Sequence, residues 1–118
     1  VYAALRRKGA RIYATGVAQG SLLPHEADLT RPSAFVLGNE NRGLSQTALV
    51  LADAVLCIPM RGMVQSVSVT AAAAMLLYEA QRQRTAAGLY DAPRLPEADW
   101  RAILECWLAR EHRQRQGD

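Results

Sequence analysis

The chain has 118 residues, half apolar and 21% charged, which is ordinary for a soluble globular protein and leaves room for one domain with one core. Its longest apolar stretch, Val69 to Tyr78, is about half of what a membrane span needs, and no apolar run follows the first charges as in a signal peptide, so a cytoplasmic protein with no membrane partner is expected. Net charge is +3, and thirteen of the fourteen basic residues are arginine; this permits an RNA partner without requiring one, because a G- and C-rich genome also favours arginine codons.

The first element is a helix, Tyr2 to Lys8, closed by Gly9. The chain enters it directly from Val1 rather than from a Met, so the sequence reads as a fragment lacking its beginning. Arg11 to Thr15 is a short strand. Gly16 to Thr30, with Gly20 and Pro24, is a polar loop. Ser33 to Leu37 is a continuous apolar run of the kind found in strands buried on both faces of a parallel sheet. Gly38 to Leu44 is a loop, and Ser45 caps a helix from Gln46 to Ala52. Ala54 to Ile58 is another buried strand, stopped by Pro59. Met60 to Ser66 is a loop, and Val67 to Arg84 an alanine-rich helix. Thr85 to Pro96 reads as a linker. A last helix from Glu97 to Gln114 gathers Trp100, Ile103, Leu104, Trp107 and Leu108 on one face, where the two tryptophans are core or interface residues rather than base-stacking ones.

Strands alternating with helices predict an α/β fold with a parallel sheet. In such sheets ligands bind beyond the carboxyl ends of the strands. Three loops leave such ends: Thr15-Gly16, Gly38 to Leu44 and Pro59 to Ser66. The two cysteines, Cys57 and Cys106, match no metal spacing and read as buried or half-buried free thiols; no metal is expected. His25 and His112 read as surface residues.

The Gly38 loop lies between a strand and a helix. Its spacing of Gly38, Gly43 and Ser45 nearly matches a phosphate-binding loop, but Leu44 stands where the lysine belongs and Glu40 would repel a polyphosphate. This disfavours a nucleotide hydrolase. A nucleoside without phosphates, such as S-adenosylmethionine, fits better; a tight turn with Glu40 near a helix N-terminus explains the same residues without a ligand. The second loop, Ile58 to Ser68, again feeds a helix. Ser66 and Ser68 are placed to cap it, or backbone donors at its start face a ligand.

Phe35-Val36-Leu37-Gly38-Asn39-Glu40-Asn41-Arg42-Gly43-Leu44-Ser45 resembles the second signature motif of the SpoU-type (TrmH-like) RNA ribose 2′-O-methyltransferases, and Ile58-Pro59-Met60-Arg61-Gly62-Met63-Val64-Gln65-Ser66-Val67-Ser68-Val69 resembles the third. Leu77 to Arg84 is similar to the branch that methylates a ribose in the tRNA D-loop, at guanosine 18.

The resemblance implies an S-adenosylmethionine-dependent enzyme with a C-terminal trefoil knot, acting on tRNA or, as in sister branches, ribosomal RNA. It assigns Thr15, Gly38, Ile58 and Val67 to the cofactor, Glu40, Ser66 and Ser68 to catalysis or ordering of the site, and Arg82 and Arg84 to RNA. It implies a homodimer, with the helix from Val67 to Tyr78 as a candidate for part of the interface. Residues 1–86 then form the C-terminal part of the methyltransferase domain, and 87–118 a linker and C-terminal helix. The third motif has Ser68 where the family usually has Asn. The first motif, whose Arg is thought to activate the ribose hydroxyl, has no match in the chain. The alternative is a non-catalytic RNA-binding or dimerisation module that keeps the cofactor fold.

Overall fold

The computed structural model describes residues 1–39, 42–63 and 66–116, the side chains of Arg115 and Gln116 excepted. Helix α1 (Tyr2–Arg7) leads into strand β1 (Arg11–Thr15). After a long connection come β2 (Ser33–Val36), α2 (Gln46–Leu51) and β3 (Ala54–Leu56), then the two long helices α3 (Val69–Ala86) and α4 (Glu97–Gln116).

The three strands form a parallel sheet in the order β2-β1-β3. Arg11 pairs with Ser33 and Ala14 with Val36 on one side of β1; Tyr13 pairs with Ala54 and Thr15 with Leu56 on the other. The α/β parallel architecture is therefore as the sequence predicts. All three strands run the same way, so their carboxyl ends deliver Gly16, Leu37 and Cys57 to one end of the sheet.

Local signals set the element ends. Gly9 takes φ +73° after α1, a conformation that costs other residues more. The Ser45 hydroxyl accepts from the Ala48 N–H at 3.2 Å and caps α2. Asp53 ties α1 to the sheet: its carboxylate accepts from the Ile12 N–H at 2.8 Å and from Arg6 Nη2 at 2.8 Å, while Arg6 also donates to the Leu51 carbonyl at 2.6 Å. The Ile12 amide, with Arg6 second, holds the Asp53 carboxyl below its ordinary range.

Burial departs from the sequence expectation. β1 supplies Ile12, Tyr13 and Ala14 to the core, all fully buried. β2, expected to be buried on both faces, is half-buried throughout, and β3 buries only Leu56. The physical reason is position: β2 and β3 flank a three-stranded sheet, and β1 alone has a strand on each side. β3 also ends two residues earlier than expected. Beyond it, Leu22 lies along the outer edge, donating to the Val55 carbonyl at 2.9 Å and accepting from the Cys57 N–H at 2.8 Å. An edge that would otherwise offer unpaired backbone is thus covered by the chain's own loop.

That loop is more ordered than its composition suggests. Pro24–Glu26 forms a 3-10 turn, with the Glu26 carboxylate accepting from the Leu23 N–H at 2.7 Å. Ala27 and Leu29 then enter the core beside Tyr13, Leu56, Leu76 and Ala80. α3 buries Ala72, Leu76 and Ala80, spaced by one turn. It starts two residues later than the sequence suggests, because the Ser68 hydroxyl accepts from the Ala71 N–H at 3.3 Å and fixes the N-cap there.

Cys57 is half-buried, but Cys106 is exposed, against expectation; both thiols are free. Cys106 sits on α4, where none of the described residues is buried and only Trp100 is half-buried. No helix among the described residues is long and apolar enough to cross a membrane.

Candidate functional site

The three strand-end loops meet. They enclose an open cavity of about 500 Å³ whose wall includes Thr15, Gly38, Ile58, Ser66, Val67 and Ser68. Six of the seven positions that the resemblance assigns to cofactor or catalysis therefore border one space. The seventh, Glu40, lies outside the described residues.

Each wall has a local cause. Thr15 ends β1, and its Oγ1 donates to the Val36 carbonyl at 3.2 Å, which fastens the end of β1 to the end of β2. The Gly16 N–H donates to the Leu56 carbonyl at 3.0 Å, so the chain leaves the sheet only after pairing with β3. The Gly38 loop closes on itself through Asn39 and Gly43, which exchange two backbone hydrogen bonds of 3.2 and 2.8 Å. A Cβ on Gly38 would stand 2.5 Å from the Gly43 carbonyl carbon and 2.7 Å from the Leu44 nitrogen. Glycine is required there by crowding between two backbone segments. Gly43 itself turns at φ +63° with open space around it.

The third wall is the approach to α3. Ser68 is the N-cap, so its oxygen is engaged by the helix while its O–H remains a donor. Ser66 is exposed and Val67 half-buried. Among the described residues the lining contains no Asp, Glu, Lys, Arg or His, and Cys57 is its one ionisable group. A neutral wall built from glycines, serines and aliphatic side chains can grip a ligand by shape and backbone hydrogen bonds, without proton transfer from a charged side chain.

Sequence reasoning left out Cys57, Met60 and Leu37, which also border the cavity. Each lies within two residues of a position it named, and the convergence of three strand ends is the signal that would have found them.

Arg82 and Arg84, paired in the sequence reading, are separated by the structure. Arg82 is exposed and forms a two-pronged ion pair with Glu79 at 2.8 and 2.9 Å. This pair, with the Gln83 amide second, draws the Glu79 carboxyl down to about 2. Arg84 instead donates Nε to the Leu29 carbonyl at 2.9 Å and Nη2 to the Arg31 carbonyl at 3.0 Å. Gln83 completes the seam, accepting from the Leu29 N–H at 2.9 Å and donating to the Ala27 carbonyl at 3.0 Å. Gln83 and Arg84 thus sew the 27–31 segment to α3, a structural task that the sequence reading missed.

Known proteins are similar to this chain in sequence and in architecture. The chain is 47% identical over 104 residues to a tRNA (guanosine(18)-2′-O)-methyltransferase of Thermus thermophilus, a match spanning 88% of this chain and 54% of that enzyme. It superposes on the crystal structure of the Aquifex aeolicus TrmH/SpoU tRNA modifying enzyme with a TM-score of 0.80 at 38% identity, covering 92% of this chain and 55% of that one. It also matches the SpoU methyltransferase AviRb from Streptomyces viridochromogenes, crystallised with AdoMet, with a TM-score of 0.62 at 31% identity over 72% of this chain and 34% of that one. The chain spans about half the length of the curated relative it matches. The model of the SpoU rRNA Methylase family matches residues 1–78, and with the cavity formed where its two signature loops meet, the chain belongs to that family.

Proposed function

We propose that this chain is the cofactor-binding portion of an S-adenosylmethionine-dependent RNA ribose 2′-O-methyltransferase whose substrate is tRNA at guanosine 18. The observation that carries the reading is the single cavity bordered by Thr15, Gly38, Ile58, Ser66, Val67 and Ser68. Its volume suits a nucleoside-sized ligand, and its lining fits S-adenosylmethionine: main chain at Gly38 and Gly43 for the polar groups, aliphatic side chains at Ile58 and Val67 for the adenosine. The cofactor supplies a methyl group already activated on a sulfonium.

The chain's own contribution is binding and positioning. Thr15 and Gly16 fix the floor through their bonds to Val36 and Leu56. The close approach of Gly38 to the Gly43–Leu44 backbone shapes one wall. The Ser66 and Ser68 hydroxyls order the opening of α3 around the ligand, with Glu40 as a further ordering group. Such preorganisation counts because in-line attack demands close alignment of the reacting atoms. Removal of the ribose proton falls to a group other than the described lining side chains, which include no carboxylate, imidazole or amine.

Arg82, exposed at the end of α3, and the remaining donors of Arg84 serve RNA phosphates. Family membership supports a trefoil knot, a homodimer and a cytoplasmic place of action. Met75, Leu77 and Tyr78, all exposed on α3, supply an apolar surface for the second copy. Residues 1–86 belong to the methyltransferase domain, and 87–118 are a linker and an appended helix.

Calorimetric titration of the chain with S-adenosylmethionine tests the cofactor assignment: one molecule binds per chain, and absence of binding overturns it. Transfer of labelled methyl from S-adenosylmethionine to a tRNA transcript, catalysed by the full-length enzyme, tests the substrate. A transcript carrying 2′-deoxyguanosine at position 18 accepts no label, and equal labelling of both transcripts rejects that nucleotide.

A further inference from the structure

A second groove, of about 490 Å³, lies at the other end of α3 and is lined by Arg84, Leu89, Tyr90, Ala92, Pro93 and Arg94. We infer that it is a subsite for one unpaired nucleotide of the RNA, with the phosphate held by Arg94 and Arg84 and the base laid against Tyr90. This rests on the reading of the chain as RNA-binding and goes beyond it by assigning a site and two residues.

The groove is built on fixed parts. α3 ends in a Schellman turn: Gly88, at φ +67°, donates to the Thr85 carbonyl at 3.0 Å, and Leu89 donates to the Arg84 carbonyl at 3.0 Å. The Asp91 N–H continues the turn to the Gly88 carbonyl at 3.2 Å. These bonds set Leu89 and Tyr90 at a defined place relative to Arg84. The Arg84 guanidinium is pinned from behind by the Leu29 and Arg31 carbonyls, which leaves further N–H donors on a group that lines the groove. A cation held rigidly costs little entropy when it binds an anion.

The chemistry of the lining selects the ligand class. Arg94 forms no hydrogen bond or ion pair with the described residues, so its charge is available. Tyr90 is 58% exposed, high for an aromatic ring with no task in the core. Leu89, Ala92 and Pro93 give an apolar floor. Asp91, the nearest acid along the chain, does not line the groove. Two guanidiniums, one ring and an apolar floor in a space of this size match a phosphate joined to a planar base. Recognition of unpaired bases by stacking on aromatic side chains is how proteins read single-stranded RNA.

The test is fluorescence anisotropy of the chain with a labelled tRNA transcript over a salt series, using Arg94→Gln, Tyr90→Leu and Tyr90→Phe. Arg94→Gln weakens binding and lowers the log–log salt slope by about 1. Tyr90→Leu weakens binding about fivefold or more with the slope unchanged, and Tyr90→Phe binds like the parent. All three bind S-adenosylmethionine as the parent does, because the groove and the cofactor cavity share no lining residue among the described residues. If the parent binds RNA and the variants match it, the subsite is overturned while the RNA reading stands. A loss at only one of the two positions overturns the assignment to a nucleotide. If the parent has no affinity for the transcript, the RNA reading falls and the subsite with it.

Discussion

The two long helices are close in length, 18 residues in α3 and 20 in α4, yet they stand in opposite relations to the rest of the molecule. α3 buries Ala72, Leu76 and Ala80 and sends Gln83 and Arg84 into the backbone of the 27–31 segment. α4 has a comparable set of apolar side chains, but Ile103, Leu104, Trp107 and Leu108 are between 41 and 65% exposed. The apolar stripe of a helix is therefore not what integrates it. α3 is held because small residues let it approach the core and polar side chains near its end meet the carbonyls and amide of a loop.

Four measurements would break or sharpen this contrast. Leu76→Ala removes the largest fully buried side chain of α3 and lowers unfolding stability by about 2–5 kcal/mol, read by denaturant titration; a loss below about 1 kcal/mol would mean that the core does not depend on this helix. Gln83→Ala leaves the Leu29 amide and the Ala27 carbonyl without their side-chain partner and costs about 1–3 kcal/mol, with faster hydrogen exchange at Leu29. An unchanged exchange rate there would show that the seam is not held by this amide.

The third measurement uses acid. The Glu79 carboxyl is depressed in the folded protein, so its contribution is complete above the ordinary value of 4.5 and is lost as pH falls toward about 2. Glu79→Gln should flatten the acid limb of the stability profile across that window, by no more than about 1 kcal/mol because Arg82 is solvated. A parallel profile with the same slope as the parent would remove the ion pair from the account. The smallest effect is expected on α4: Trp107→Gln changes stability by less than about 0.5 kcal/mol at low protein concentration. A larger loss that grows with protein concentration would reveal a partner for the stripe.

Much of the fold is legible in the sequence because the signals are local. Arg11 to Thr15 forms β1 as read, Gly9 and Ser45 mark their boundaries, and the order of helices and strands follows from apolar runs and punctuation. The meeting of the three strand ends follows from the rule for parallel sheets. What the sequence hides is non-local. Gln83 and Arg84 belong to the Leu77 to Arg84 stretch, and nothing in their spacing reveals carbonyls 53 to 56 positions away. The edge positions of β2 and β3 depend on strand order, which apolar content does not encode. Tyr90 and Arg94 read as linker because a Schellman turn makes a groove from residues that have no periodicity.

The crowding at Gly38 has one more consequence. A wall whose shape is set by two backbone segments in contact offers few handles to point mutation, since exchanging a neighbouring side chain leaves the main chain where it was. Side-chain variation along the Gly38–Gly43 wall should then be nearly silent except at the glycines, whereas long exposed side chains away from this cavity, such as Arg82, Tyr90 and Arg94, remain free to drift. A site built this way keeps its shape while the surface around it changes.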